Sequence, residues 1–184
     1  MNRVETCEHA GFCFGVERAV ALGHRRIAYV HGQRNSLVTE DRIESYLRAM
    51  RDHDLPVPEG FLVAGRYDDT ESIRPRLKAL MKREDWPTCV LLPDDAAYFS
   101  ALDTLRGMDL QVPEDISLAG YDGVRSVQAV HPRLTTVRQN SEALGRQAAL
   151  RLIDHIEHPA TSINDVVLVP TELIEGESMG KLRE

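Results

Sequence analysis

Residues 110–139 read LQVPEDISLAGYDGVRSVQAVHPRLTTVRQ, and this stretch decides the fold. Val112-Pro113 is an extended dipeptide that stops the helix before it, because the proline ring disfavours helical backbone at the preceding residue. Ile116-Ser117-Leu118-Ala119 is a short apolar run suited to a strand covered on both faces, and Gly120 breaks it. Asp122 then falls just past the strand's carboxyl end, the edge at which open parallel α/β sheets bind ligands. A second strand follows in the same frame, in LTTVRQ.

Outward from that stretch the chain alternates. Phe12, Val16, Ala19 and Val20 repeat with helical period and stop at Gly23, a natural C-cap; His24-Arg25-Arg26 supplies a favourable positive helix end, and Ile27 to Val30 reads as a strand. Thr39 is placed to cap a second helix carrying Ile43, Tyr46, Leu47 and Met50 on one face. Phe61 to Ala64 is a weak strand, Ile73, Leu77, Leu80 and Met81 line a third helix, Cys89 to Leu92 is a strand, and Ala97, Ala101, Leu102 and Leu105 line a fourth helix. A last helix around Leu144, Ala148, Leu152 and Ile156 precedes the apolar segment Val166 to Val169 and then Leu173-Ile174. Strand and helix in this order imply right-handed crossovers and a doubly wound α/β protein with a parallel sheet covered on both faces.

With 184 residues and 42% hydrophobic side chains, the chain is long enough to bury a real core. It has no apolar run of membrane-spanning length, and MNRVETCEHA lacks a basic-then-apolar signal region, so a cytoplasmic protein without a membrane partner is expected. Its 22 basic against 29 acidic residues give a net charge of −7, which repels phosphate backbones, so this chain alone is not expected to hold DNA. Cys7, Cys13 and Cys89 form no CxxC pair, and Cys89 reads as a small buried hydrophobe.

VPEDISLAGYDG and HPRLTTVRQ closely resemble the VPEDISVVGYDD and PPLTTVRQ of the effector-binding domain of LacI/GalR-type transcription regulators. GVERAVALGHRRIAYVHG, RIESYLRAM and PTCVLLPDDAAYFSALDTLRGMDLQVPEDIS extend the likeness over nearly the whole chain. The resemblance implies a periplasmic-binding-protein-like fold of two subdomains, the first incomplete: 5–59 with 139–158 would be part of the amino-terminal one, and 60–135 with 160–184 the carboxy-terminal one. It implies a homodimer, a small sugar-like effector, no cofactor, and DNA contact only through a helix-turn-helix head not seen in this sequence. Missing strands would leave an unpaired sheet edge and uncovered apolar helix faces around Val16, Val20 and Leu144.

Carried over by position, the resemblance puts ligand contacts at Arg42, Asp94 and Asp122, with Tyr67 near an aromatic that stacks on a sugar. A carboxylate accepts hydroxyl hydrogens and a guanidinium donates a fork to hydroxyl oxygens, so an Arg/Asp pair over an aromatic suits a polyhydroxylated molecule. Each has a plainer reading: Asp94 or Asp95 as a helix N-cap, Arg42 as a solvated side chain on the first exposed turn of its helix, Tyr67 as loop packing. Two positions depart from the family. Its usual Asp at the first helix falls on or near Ala10, and its usual Asn is Asp94, which sets a second carboxylate beside Asp122 and favours cationic or proton-rich ligands.

A stand-alone or degenerate sugar-binding or dimerisation module is the alternative, and a transport protein is disfavoured by the lack of a signal peptide. EHAGFCFGVERAV also resembles the first cysteine motif of the iron–sulfur enzyme hydroxymethylbutenyl diphosphate reductase, with Cys13 as cluster ligand, but further thiolates in a matching setting are lacking. Cys7, His9 and Cys13 as a metal site want a fourth ligand. No GxSxG elbow or identifiable general base is present, so no enzyme is expected.

Overall fold

A computed structural model describes residues 13–67, 69–159 and 167–182. Its elements in chain order are α1 (Cys13–Ala21), β1 (Ile27–His31), α2 (Leu37–Asp52), β2 (Leu62–Ala64), α3 (Ile73–Met81), β3 (Cys89–Leu91), α4 (Ala97–Arg106), β4 (Ser117–Asp122), β5 (Thr135–Arg138), α5 (Ser141–Glu157) and β6 (Glu172–Ile174). One six-stranded sheet runs β2-β1-β3-β4-β5-β6. Neighbours from β2 to β5 are parallel, while β6 joins the edge antiparallel to β5.

Strand β1 shows why the sheet must be covered twice. All five of its residues are buried, and successive side chains point to opposite faces. Ile27 and Tyr29 enter a core with Val16 and Ala19 of α1 and Ile43, Tyr46 and Met50 of α2, whereas Ala28 and Val30 enter another with Leu77 of α3 and Ala101 and Leu105 of α4. Truncating a fully buried leucine such as Leu77 to alanine costs roughly 2–5 kcal/mol in cores of this kind. The sheet draws no boundary at residue 59, because β1 pairs with both β2 and β3.

The end of α1 follows the sequence reading. Gly23 has φ +96, its N–H donates to the Val20 carbonyl, and the His24 N–H donates to that of Ala19, the two bonds of a Schellman cap. The charged role read for His24 does not hold. The ring is 3% exposed, with Nδ1 3.0 Å from Thr88 Oγ1 and Nε2 3.0 Å from both Ser117 Oγ and the Gly180 carbonyl; burial lowers its pKa and favours the neutral form. The imidazole therefore ties the amino ends of β3 and β4 to the carboxy-terminal tail. Ser178 works beside it, accepting from the Thr135 N–H and donating to the Leu118 carbonyl.

The start of α2 also differs from expectation. Ser36, not Thr39, is its N-cap, with no side-chain cap bond, and Thr39 lies inside the first turn, completely buried. At the far end, Phe61 precedes β2 rather than opening it, and its buried side chain joins the α3 and α4 core. Residues 167–170 form no strand, although Glu172–Ile174 does.

Val16 is fully buried and Val20 partly so, correcting the expectation of an uncovered face on α1. The other half of that expectation is visible on α5, which has no buried residue. Asn140 caps it, its Oδ1 accepting from the Ala143 N–H, but Leu144, Leu152, Ile153 and Ile156 are exposed along its length.

Candidate ligand-binding cleft

Parallel strands deliver their carboxyl ends to one edge of a sheet, and the loops leaving β1, β3 and β4 converge there. The sequence-expected residues Arg42, Tyr67, Asp94 and Asp122 line one cleft of about 440 Å³ at this edge, together with Ser36, Val38, Ala96 and Val124.

Arg42 stands on the second turn of α2 and is only 9% exposed, which corrects its placement on an exposed turn. Its guanidinium carbon lies 3.8 Å from the Tyr121 ring centroid and 5.6 Å from that of Tyr67. Nη1 donates to the Pro93 carbonyl at 3.2 Å, and Nη2 is 3.8 Å from Asp122 Oδ1, an ion pair longer than a hydrogen bond. The cation is thus held by its stack on Tyr121 and by the Pro93 carbonyl, and it lines the cleft.

Asp122 ends β4 with φ +118, a left-handed conformation of a non-glycine residue that costs of order 1–3 kcal/mol. Gln139 Nε2 donates to its Oδ1 at 2.6 Å, and the Gln139 N–H donates to its carbonyl. Burial raises its pKa, while Arg42 and the Gln139 bond oppose the rise.

Ala96, not Asp94 or Asp95, is the N-cap of α4, but Asp94 binds the first residue of that helix. Its Oδ1 accepts from the Ala97 N–H at 2.9 Å at the start of α4, and it also lines the cavity while 8% exposed. Burial raises its pKa first, and the charge of Asp122 adds to the rise. Asp95 behind it is fully buried, accepting from Thr136 Oγ1 at 2.6 Å and from the Val124 N–H at 2.7 Å; burial pushes its pKa up to about 6. Gly120 makes room for this carboxylate, since a Cβ there would lie 2.3 Å from Asp95 Oδ1.

Tyr67 is fixed from three sides. Its hydroxyl is 3.0 Å from Thr39 Oγ1, its N–H donates to Gln33 Oε1, and its ring covers Gly32 so closely that a Cβ on that glycine would come within 2.1 Å. Sequence reasoning missed Tyr121, Asp95, Thr39 and Gly32. Tyr121 and Asp95 each adjoin an expected site residue, so adjacency was the available signal; Thr39 and Gly32 act by contacts that spacing does not encode.

Among the described residues no group of three or more His, Cys, Asp and Glu is arranged to hold a metal ion. Cys13 and Cys89 are buried, and burial raises the pKa of both thiols. Cys7, His9 and Ala10 lie outside the described residues. No helix among those described is long and apolar enough to cross a membrane.

Residues 16–179 match the family described as the periplasmic binding protein-like domain. The chain belongs to this family. This periplasmic-binding-protein-like chain is 30% identical over 160 residues to the HTH-type transcriptional repressor PurR of Klebsiella pneumoniae (strain 342), an alignment covering 87% of the chain and 46% of the repressor. Among solved structures it is similar to a regulatory protein of the LacI family from Chloroflexus aggregans, with TM-score 0.85, 28% identity, and coverage of 97% of this chain and 66% of that one. It is also similar to the transcriptional regulator CelR in complex with cellobiose, with TM-score 0.81, 29% identity, and coverage of 89% and 49%. The chain spans about half the length of the curated relatives it matches. The likeness to LacI-type regulators is one of homology, and PurR is a transcriptional repressor rather than an enzyme, which sets aside the reductase reading.

Proposed function

We propose that this chain is the effector-binding region of a LacI-type transcription regulator and senses a small polyhydroxylated molecule, a sugar or nucleoside. The observation that carries the reading is the convergence of Arg42, Tyr67, Asp94 and Asp122 from separate elements on one cleft at the carboxyl edge of the sheet. A guanidinium donor, two carboxylate acceptors and an aromatic wall match the alternating donors, acceptors and apolar faces of a sugar ring. The cellobiose held by CelR is a ligand of that class in a structure similar to this one.

Exposed α5 supports a second lobe, because an apolar helix face left uncovered by the described residues suits burial against further structure. A ligand bridging two lobes favours the closed state by its differential affinity, and in a dimer that shift would reorient DNA-binding heads in the cytoplasm. Calorimetric titration of the chain with sugars and nucleosides, repeated with Arg42→Ala and Asp122→Ala, tests the reading. Saturable binding weakened in both variants is expected; binding unchanged in both would place the pocket elsewhere.

A further inference from the structure

We infer that the effector carries a protonated amino group and that Asp94 and Asp122 receive it, so that the ligand class is an amino-deoxy sugar or similar amino polyol rather than a neutral one. The inference rests on the proposed function, and deepens it by assigning charge to the ligand. Among the described residues lining this cleft, Arg42 is the one cation, against two carboxylates.

That cation is already committed. It stacks on Tyr121, donates to the Pro93 carbonyl and faces Asp122 Oδ1 at 3.8 Å. Asp122 Oδ1 also takes the Gln139 amide at 2.6 Å, and Asp94 Oδ1 takes the Ala97 N–H. Both carboxylates line the cavity, and when ionised their oxygens accept hydrogen bonds but cannot donate them. A neutral polyol would supply hydroxyl hydrogens to those oxygens but leave the charge of Asp122 acting on Asp94 in a partly buried site. An ammonium supplies three donors and cancels the repulsion, and a hydrogen bond between charged partners is roughly twice as strong as a neutral one. Burial is the main cause that raises the pKa of both carboxyls, and at Asp94 the charge of Asp122 adds to the rise. Asp95, fully buried behind them, adds negative potential whenever it is ionised.

The test compares matched pairs. Free aldohexoses and aldopentoses, each with its 2-amino-2-deoxy and 3-amino-3-deoxy counterpart, are titrated into the chain by calorimetry at neutral pH, and the best pair is repeated with Asp94→Asn. The amide oxygen of asparagine accepts the Ala97 N–H as the carboxylate does, so the variant keeps that bond at the start of α4 while removing the charge. The amino member should bind about tenfold tighter or more in the wild type, with the preference falling to roughly threefold or less in D94N. Parents binding as tightly as their amino counterparts would overturn the inference and leave the proposed function standing. A preference that persists in D94N would overturn the role of Asp94. No binding by any member of any pair would remove both the inference and the sugar-sensing reading beneath it.

Discussion

The guanidinium of Arg42 rests over the ring of Tyr121, with its carbon 3.8 Å from the ring centroid, although the two residues belong to different elements, α2 and β4. The cation is therefore oriented before any ligand arrives, and its ordering cost is met in folding rather than in binding. Arg42→Lys keeps the charge but loses both the planar stack and the fork. It should weaken effector binding by about 1–3 kcal/mol, while Tyr121→Leu should cost about 0.5–2 kcal/mol through the lost stack. Calorimetry on both variants checks the order; a lysine variant that binds as the wild type does would remove Arg42 from the site.

Asp95 makes stability depend on pH. Burial holds its pKa at about 6, above the value near 3.9 of an unfolded chain, so the folded state binds its proton more tightly. Its contribution is fully present below about pH 4 and is lost as pH rises through about 6. Asp95→Asn should flatten this part of the profile, at a cost of about 1–3 kcal/mol because an amide nitrogen replaces one of two acceptor oxygens. Urea midpoints at pH 4, 5, 6 and 7 for both proteins measure the slope. An unaltered slope would locate the titration elsewhere.

His24 acts in the opposite sense. Burial lowers its pKa from about 6.5, so its contribution is present above that value and is lost as pH falls below it. His24→Ala should cost about 1–3 kcal/mol, remove the acid sensitivity below pH 6.5, and free the tail that Gly180 anchors. Proteolysis at Lys181, next to that anchor, should accelerate relative to cleavage within the sheet.

Gly32 and Tyr67 should behave as one unit. A methyl at residue 32 would meet the Tyr67 ring at 2.1–2.6 Å, so Gly32→Ala must displace it. Gly32→Ala and Tyr67→Ala should weaken ligand binding alike, and the double variant should bind no worse than either alone. Additive losses in a double-mutant cycle would separate the two.

Charges on the exposed stripe of α5 should change association rather than folding. Leu152 and Ile156 are 61% and 69% exposed, and surface substitutions typically alter stability by less than about 0.5 kcal/mol. Leu152→Glu with Ile156→Glu should leave the urea midpoint in place and reduce the apparent mass in light scattering, since the wild-type chain is expected to self-associate through exposed apolar surface. A wild-type chain already monomeric at high concentration would refute the expectation.

Periodicity in the sequence reports burial, and the elements whose burial is periodic were legible. The α3 face of Ile73, Leu77 and Leu80, the α4 face and strands β1 and β3 lie where spacing puts them, whereas β4 runs on through Gly120, read as its break, and ends at Asp122 itself. Element ends were less legible because caps are chosen by contacts: Thr39 has the chemistry of an N-cap, yet its hydroxyl meets Tyr67 from inside the helix. His24 looked like a charged helix end because the chain around it is basic, and only the fold shows the tail closing over it. In the cleft, Arg42, Asp94 and Asp122 could be named from the resemblance, whereas Tyr121, buried at 5% exposure, reads as core until the guanidinium above it is seen.

Gln139 grips Asp122 by side chain and backbone, and the next residue, Asn140, caps α5. A single peptide unit thus separates the residue that holds the Asp122 carboxylate from the cap of α5, a helix with no buried residue. The left-handed backbone at Asp122 and the 17-residue α5 therefore share one short hydrogen-bonded link, and a substitution that loosens the Gln139 grip acts on both ends of it.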